Sequence, residues 1–454
     1  QELLAHGVAA TREDAGVLAM KAGVDVDMVS AIYPGELPRA LSRGRVMQGE
    51  IDEAVRRVLR LKYRMGLFQD PYRYSDTTRE RTLTMAPEHL AAAREVARKS
   101  IVLLKNERRT LPLSKMLGTI AVIGPLADDR RSMLGSWAAA GRPEEAVTIL
   151  AGIRQAVSPR TRVIYARGTS VDSMSTSGFA EAVAAARQAD AVVLVLGERE
   201  DMSGEAASRA WIDLPGAQEA LARAVHATGK PVVAVLANGR PLSIAWLAAE
   251  VPAILETWFL GTQAGHAVAD VLFGDYNPGG KLPVTFPRTT GQIPIYYNRK
   301  NTGRPPAAEN KYTSKYLDVP WTPLFPFGHG LSYTTFAYDN PRLSAPTMRT
   351  ADTLTVTVDV TNTGDRAGDE VVQLYVQDEV ASVTRPLKEL KGFSRITLRP
   401  GERRTVTFRL RSDDLAFYDA AVRRVVEPGF FKVFVGTSSA SVREARFELL
   451  GGGR

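Results

Sequence analysis

The sequence predicts a multidomain protein, α/β through its centre and all-β at its end. Three observations carry that reading. Between residues 119 and 258, five short apolar runs are interleaved with Ala-rich helical segments, the pattern of a mainly parallel sheet covered on both faces. The last stretch, residues 342–454, holds short alternating strands separated by turn signals, as in an immunoglobulin-like sandwich. Residues 1–75 read as helices around one short strand, which is too little for a domain and suggests the C-terminal end of a larger α/β unit.

Taken in order, Thr11 with Asp14 three positions on forms a capping signal for a helix reaching Lys21, and Gly23 ends it. The alternation Val24-Asp25-Val26-Asp27-Met28 predicts a strand. A helix starting near Gly49 presents Ile51, Val55, Val58 and Leu61 at helical spacing and stops at Gly66. Residues 76–117 read as a linker containing a helix, 88–99, and an apolar segment, 101–104. The α/β domain is assigned to 118–290, with strands at 119–124, 162–166, 191–196, 231–236 and 253–258 and helices at 179–188 and 218–228. The pattern loosens from Gly274, and 291–341 reads as an irregular connector rich in Pro, Gly and Tyr. A stretch of that length usually has a function or wraps another domain. In the final domain, 354–360 and 405–410 alternate cleanly, 371–376 is more apolar, and a glycine tail, 451–453, closes the chain.

Composition narrows the function classes. With 454 residues, 44% hydrophobic and 24% charged, the chain can bury a large core. It has no cysteine, so thiolate catalysis, disulfides and Cys-type zinc sites are excluded. The five histidines are scattered without ligand spacing, and no metal site is expected. A net charge of +8 is dispersed rather than gathered into an aromatic-rich basic patch, so nucleic acid is not an expected partner. No apolar run approaches the ~20 residues of a membrane helix. The opening Gln1-Glu2-Leu3-Leu4 enters directly into a helical pattern without a signal peptide, and a longer natural chain is expected.

One loop concentrates chemistry. The dense apolar run 191–196 is followed by Glu198, Glu200, Asp201 and Glu205. Acidic loops at the carboxyl ends of parallel strands are where open α/β sheets place ligands and reactions. Glu205, flanked by small residues with Arg209 four positions on, is the candidate acid/base. The competing reading is a solvated acidic loop. A nucleotide-binding reading lacks a Gly-x-Gly-x-x-Gly or Walker loop after any strand. A serine hydrolase reading lacks a legible His–Asp partner set.

Several ordered stretches sharpen this. They include Val102-Leu103-Leu104-Lys105-Asn106, Ile123-Gly124-Pro125, Gly135-Ser136-Trp137, Gly274-Asp275-Tyr276-Asn277-Pro278-Gly279-Gly280-Lys281-Leu282-Pro283 and Pro326-Phe327-Gly328-His329-Gly330-Leu331-Ser332-Tyr333. With them the chain resembles the family 3 glycoside hydrolases, most of all their bacterial periplasmic β-glucosidases. The resemblance implies the C-terminal remnant of a TIM-type barrel, an α/β sandwich and a fibronectin-type-III-like sandwich. It also implies retaining hydrolysis of β-glycosides, most simply exo-acting β-glucosidase activity, with no cofactor. Glu205 would be the acid/base. Its partner nucleophile, an aspartate in a Ser-Asp motif, would fall upstream of residue 1, leaving this chain alone without it. Glu198 and Glu200 are the runners-up. Ser136, Trp137 and Arg209 are the expected substrate contacts, although Trp137 could equally be a core residue at a domain interface, and Arg209 could hold the loop or a carboxylate through a forked pair or be an ordinary surface arginine. The implied partner is a small β-glucoside or oligosaccharide, with no nucleic acid or membrane, and a homodimer is compatible. The implied location is periplasmic or secreted. The alternative is a non-catalytic carbohydrate-binding or scaffolding fragment.

Overall fold

The structure, a computed structural model, describes residues 2–451; Gly452 and Gly453 of the glycine tail lie outside that range. The chain divides into two compact units, Gln1–His89 and Leu90–Arg454.

The first unit is helical. Its elements are α1 (Glu2–Ala5), α2 (Arg12–Lys21), α3 (Ile32–Ser42), α4 (Gln48–Arg64) and α5 (Thr77–Leu83). Thr11 caps α2 as expected: its hydroxyl accepts from the Asp14 amide at 3.1 Å, and Asp14 accepts from the Thr11 amide at 2.9 Å, so both otherwise orphaned donors are satisfied. Val17, Met20, Leu37, Ala40, Val46 and Ala54 form a small core between α2, α3 and α4. The strand expected at 24–28 does not form, and Val24, Val26 and Met28 are exposed. The reason lies in the two acids that create the alternation. Asp25 forks onto Arg57 at 2.7–2.9 Å. Asp27 accepts from the amides of Ile32 and Tyr33 at the start of α3, at 2.5 and 3.2 Å. Both serve helices, and among the described residues of this unit there is no strand for the segment to pair with.

Helix α6 (Pro87–Ser100) leads into a six-stranded sheet. Its strands are β1 (Val102–Asn106), β2 (Thr119–Ile123), β3 (Arg162–Ala166), β4 (Ala191–Gly197), β5 (Val232–Ala237) and β6 (Ala253–Glu256), in the order β1-β6-β5-β4-β2-β3. All neighbours are parallel except β1, which runs antiparallel to β6. The segment read as part of a linker is therefore the sheet's edge strand. Its near-continuous apolar run could not reveal this, because periodicity does not separate a buried strand from other buried segments.

Every residue of β4 is buried. Val193 and Val195 face one core with Val233, Val235, Met133 of α7 (Arg130–Leu134) and the helices α8 (Ile149–Ala156) and α12 (Ala264–Leu272). Val192, Leu194 and Leu196 face the other, with α9 (Phe179–Arg187), α10 (Gln218–His226) and α11 (Ala245–Glu250). Each such side chain contributes roughly 1.5–3 kcal/mol on burial. The doubly covered centre fixes the strand ends where the acidic loop begins. Asp270 of α12 is also anchored, accepting from Arg94 of α6 at 2.7 and 2.5 Å.

The irregular connector is held by backbone bonds rather than regular elements. Leu282 donates to His329 and accepts from Gly328, each at 2.8 Å, and Leu324 donates to Phe286 at 2.9 Å. His329 is a strut: its Nε2 donates to the Leu104 carbonyl at 2.9 Å, and burial lowers its imidazole pKa, so the neutral ring fits the bond. Tyr297 and Phe327 stack at 4.2 Å and lead into the sandwich at Tyr375.

The sandwich begins slightly before 342, with β7 (Phe336–Tyr338), followed by β8 (Arg342–Leu343), β9 (Thr347–Met348), β10 (Thr353–Asn362), β11 (Gly368–Asp378), β12 (Glu389–Leu398) and β13 (Arg403–Arg411), then β14 (Phe417–Tyr418), β15 (Arg424–Val425), β16 (Gly429–Gly436) and β17 (Val442–Leu449). One sheet runs β13-β10-β7 with β8 on β10; the other runs β12-β11-β16-β17-β9. Inward side chains Val356, Val358, Val360, Leu374, Val433 and Phe447 meet between them.

Asp378 ends β11 nearly buried, and that burial pushes its carboxyl up from 3.8 to about 6, with Arg385 at 3.9 Å only partly offsetting it and Glu427 and Glu389 adding to it. The folded domain then keeps a proton that the unfolded chain releases. Its contribution is present below about pH 4 and is lost as pH rises through about 6. Asp378→Asn should remove this dependence, so the variant gains on the wild type in urea unfolding near neutral pH and the gain disappears at about pH 4. Parallel stability profiles for the two proteins would contradict it.

Candidate active site

β4 ends at Gly197, and the loop that follows is clamped at its base. Glu198 is fully buried and faces two guanidinium groups, Arg209 from the loop's far end and Arg240 at 3.2 Å from the turn after β5. A carboxylate so placed needs both cations, because a buried charge is tolerated only when paired and hydrogen-bonded. Arg240 also donates to the carbonyls of Met202 and Ala207 (the latter at 2.7 Å). It therefore grips the loop on both sides of Glu205. Close packing completes the clamp. Gly239 has no side chain where Ser203 lies, and a Cβ there would fall 2.1 Å from the Ser203 hydroxyl oxygen.

The remaining acids separate by partner. Glu200 accepts from Arg131 at 2.6 Å and from Ser132 at 3.0 Å. Asp201 accepts from Arg199 at 3.1 Å. Among the described residues, Glu205 alone of the four loop carboxylates has no ion pair or hydrogen bond, and it is exposed. The backbone turns it outward: Gly204 sits at φ +99° and Ala206 at φ +57°. Such angles in consecutive alternation make a tight crown, with the non-glycine carrying the strain. Space is tight there as well, since a Cβ on Gly204 would stand 3.1 Å from that of Ser136.

The other expected contacts sit in three different environments. Ser136 does not project into open space: its hydroxyl lies 2.6 Å from the Glu200 carbonyl and 2.7 Å from the Ser203 carbonyl, stitching the loop. Arg209 is turned inward, on Glu198 and on the Asp213 carbonyl at 3.0 Å, so it holds a carboxylate and the loop rather than standing as a free surface arginine. Trp137, 74% exposed, is not a core residue of this chain. It remains beside the loop, with its indole nitrogen near Gly204. Sequence reasoning missed Arg240. The available signal was its place in Asn238-Gly239-Arg240-Pro241, directly after a buried parallel strand.

Two clefts lie elsewhere in this unit. One of about 440 Å³ is lined by Asn106, Lys281, Asp365 and Glu370, and one of about 400 Å³ by Arg240, Pro241, Tyr296 and Phe327. Glu205 lines neither. The loop therefore presents Glu205 on a clamped base, outside both clefts.

Residues 101–333 match the model of the glycosyl hydrolase family 3 C-terminal domain, and residues 370–439 match that of the fibronectin type III-like domain. A periplasmic β-glucosidase of Salmonella typhimurium is 49% identical over 99% of this chain and 62% of its own length. A β-xylosidase of Formosa agariphila is 45% identical over 96% of this chain and 61% of its own length. Among solved structures, the β-glucosidase from Listeria innocua in complex with glucose aligns with a TM-score of 0.93 at 43% identity, covering 99% of this chain and 61% of that one. A mutant of the same enzyme has been solved with laminaribiose, also at a TM-score of 0.93 and 42% identity, covering 99% of this chain and 62% of that one. The chain thus spans about three fifths of the relatives it matches.

Proposed function

The chain belongs to glycosyl hydrolase family 3, and on that premise we propose that it carries the proton-transferring half of a retaining, exo-acting β-glucosidase. The observation that carries this is the unpaired state of Glu205 among loop acids that are otherwise neutralised by arginine. In the first step Glu205 protonates the oxygen of the departing group while a second carboxylate attacks the anomeric carbon. In the next step Glu205 accepts a proton from water as the glycosyl–enzyme bond is hydrolysed. The attacking carboxylate comes from the barrel of the complete enzyme, placed about 5–5.5 Å from Glu205 in the closed site. Trp137, exposed beside the crown, offers an aromatic face to the sugar. The ligands of the Listeria relative point to β-linked glucosides, and the Salmonella relative's name points to the periplasm. Among the described residues no helix is long and apolar enough to cross a membrane.

The Formosa relative keeps β-xylosides as a second reading. The test compares an aryl β-glucoside with an aryl β-xyloside, using the protein with its barrel. Faster glucoside turnover, with the β-anomer of glucose appearing first by NMR, is expected. Preference for the xyloside would replace the substrate assignment, and first appearance of the α-anomer would sink the retaining mechanism. The 454-residue chain alone should turn over neither substrate.

A further inference from the structure

The loop that carries Glu205 leaves β4 at Gly197 and returns to α10 through Pro215, Gly216 and Ala217. Its two ends are joined by one side chain that neither the arginine clamp nor the proposed mechanism uses. Gln218, the first residue of α10, is fully buried. Its side-chain oxygen accepts from the Gly197 amide at 2.9 Å. Its nitrogen donates to the Val171 carbonyl at 2.8 Å, to the Gly197 carbonyl at 2.8 Å and to the Pro215 carbonyl at 3.2 Å. The side chain has one orientation open to it. Turned over, its oxygen would face three carbonyl oxygens and its N–H groups would face the Gly197 amide. The mount is rigid at both ends. Leu221, Ala222 and Val225 seat α10 in the same core as Leu194 and Leu196 of β4. Gly197 sits at φ +139°, where a Cβ would fall 1.9 Å from the Ala237 carbonyl oxygen. The segment after β3 that supplies Val171 is tied to the loop twice more, by the Ala217 amide on the Ser173 carbonyl at 2.8 Å and by Arg199 on Asp172 at 2.9 Å.

We infer that Gln218 is a positioning residue for proton transfer: its amide staples the root of the loop, joining the point where the chain leaves the sheet to the point where it returns. Arg209 and Arg240 hold the middle of the loop to Glu198. Gln218 fixes where that middle starts and stops. The need for it follows from the state of Glu205. Among the described residues its carboxyl has no hydrogen bond or ion pair, so its place is set by the backbone beneath it. Proton transfer requires the donor within about 2.6–3.2 Å of the accepting oxygen, and a misplacement of about 1 Å can cost 10²-fold in rate. Gln218 does not touch the reacting atoms, and its consequence for catalysis rests on the proposed function.

Two variants test it. Gln218→Met keeps the length of the side chain and removes all four bonds. Gln218→Glu keeps the acceptor for the Gly197 amide and, as the neutral acid among three carbonyls, one donor. In the 454-residue chain, amide exchange across residues 198–215 should accelerate roughly tenfold in the Met variant and less in the Glu variant, while β5 keeps its wild-type protection. In the protein with its barrel, the Met variant should lower kcat for a β-linked disaccharide by roughly 10–100-fold with KM within about twofold. The burst in which an activated aryl glucoside glycosylates the enzyme should keep its wild-type rate, because that leaving group needs no proton. A role in folding alone would lower both rates together, through the folded fraction. Unchanged exchange across 198–215, or equal loss on both substrates, overturns the inference. If the Met variant does not fold, the Glu variant is read by the same two measurements. Should Glu205→Gln itself spare the disaccharide, the proposed function fails, and the exchange profile still decides whether Gln218 holds the loop.

Discussion

Replacing Glu205 with Gln should lower kcat/KM for a β-linked disaccharide by about 10²–10⁴-fold, the usual contribution of a positioned general acid. The measurement belongs in the protein with its barrel. The substrate dependence makes the prediction specific. A sugar alcohol is a poor leaving group and needs the proton, whereas an activated aryl group departs without one. Glycosylation by an activated aryl glucoside should therefore survive, and the step that fails should be attack of water on the glycosyl–enzyme bond. A small anionic nucleophile such as azide needs no general base. Added to a Glu205→Ala variant, it should restore aryl glucoside turnover and yield the β-glycosyl azide. Equal loss on both substrate classes, without rescue, would assign the proton transfer to another residue. The bonded states of Glu198 and Glu200 make them the poorer alternatives, since each already accepts from positively charged or hydroxyl partners.

The second large effect is expected at Arg240. Its guanidinium is one of two cations on the buried Glu198 and bonds the loop on either side of the crown. Arg240→Met keeps much of the side-chain volume and removes all of these contacts. Breaking a buried pair from one side leaves an undercompensated charge and should cost about 3–5 kcal/mol. The loss should appear in the urea transition of the α/β domain, with turnover falling as the loop loosens. A shift below about 1 kcal/mol, the range of an exposed pair, would mean that Arg209 alone satisfies Glu198.

The α/β core was the most legible part of the sequence, because a strand buried on both faces is written as an uninterrupted apolar run. All five strands read between 119 and 258 are present, with ends displaced by only a residue or two. The sandwich strands were legible for the complementary reason: 354–360 and 405–410 alternate because one face meets the core. Misreadings arose where pattern and cause differ. The Val-Asp alternation at 24–28 reflects two acids serving neighbouring helices, and the run at 101–104 is an edge strand whose partner lies far along the chain. At the site, the sequence displayed the carboxylates but not their pairing. Which of four acids remains unpaired depends on Arg199 and Arg209 within the loop and on Arg131 and Arg240, brought in from separate elements. Ser136 was legible as part of a loop, but its hydroxyl's engagement by backbone carbonyls was not.

The edge strand has a consequence for how this chain comes into being. β1 is the first strand of its sheet to be synthesised, yet it is zipped antiparallel onto β6, the last, and its other side is met by the connector: the Leu331 amide reaches the Leu103 carbonyl at 2.8 Å and His329 the Leu104 carbonyl at 2.9 Å. Until the ribosome has released β6, a strand with three buried apolar side chains lacks its ladder, and until it has released residues beyond 331 it lacks its cover. During translation it is a sticky, unpaired edge of the kind that recruits other chains. Truncation from the C-terminal side at the connector should reopen that edge, and truncation into β1 from the other side should uncover β6 instead, so residues 102–331 form a unit that cannot be shortened at either end without baring a strand.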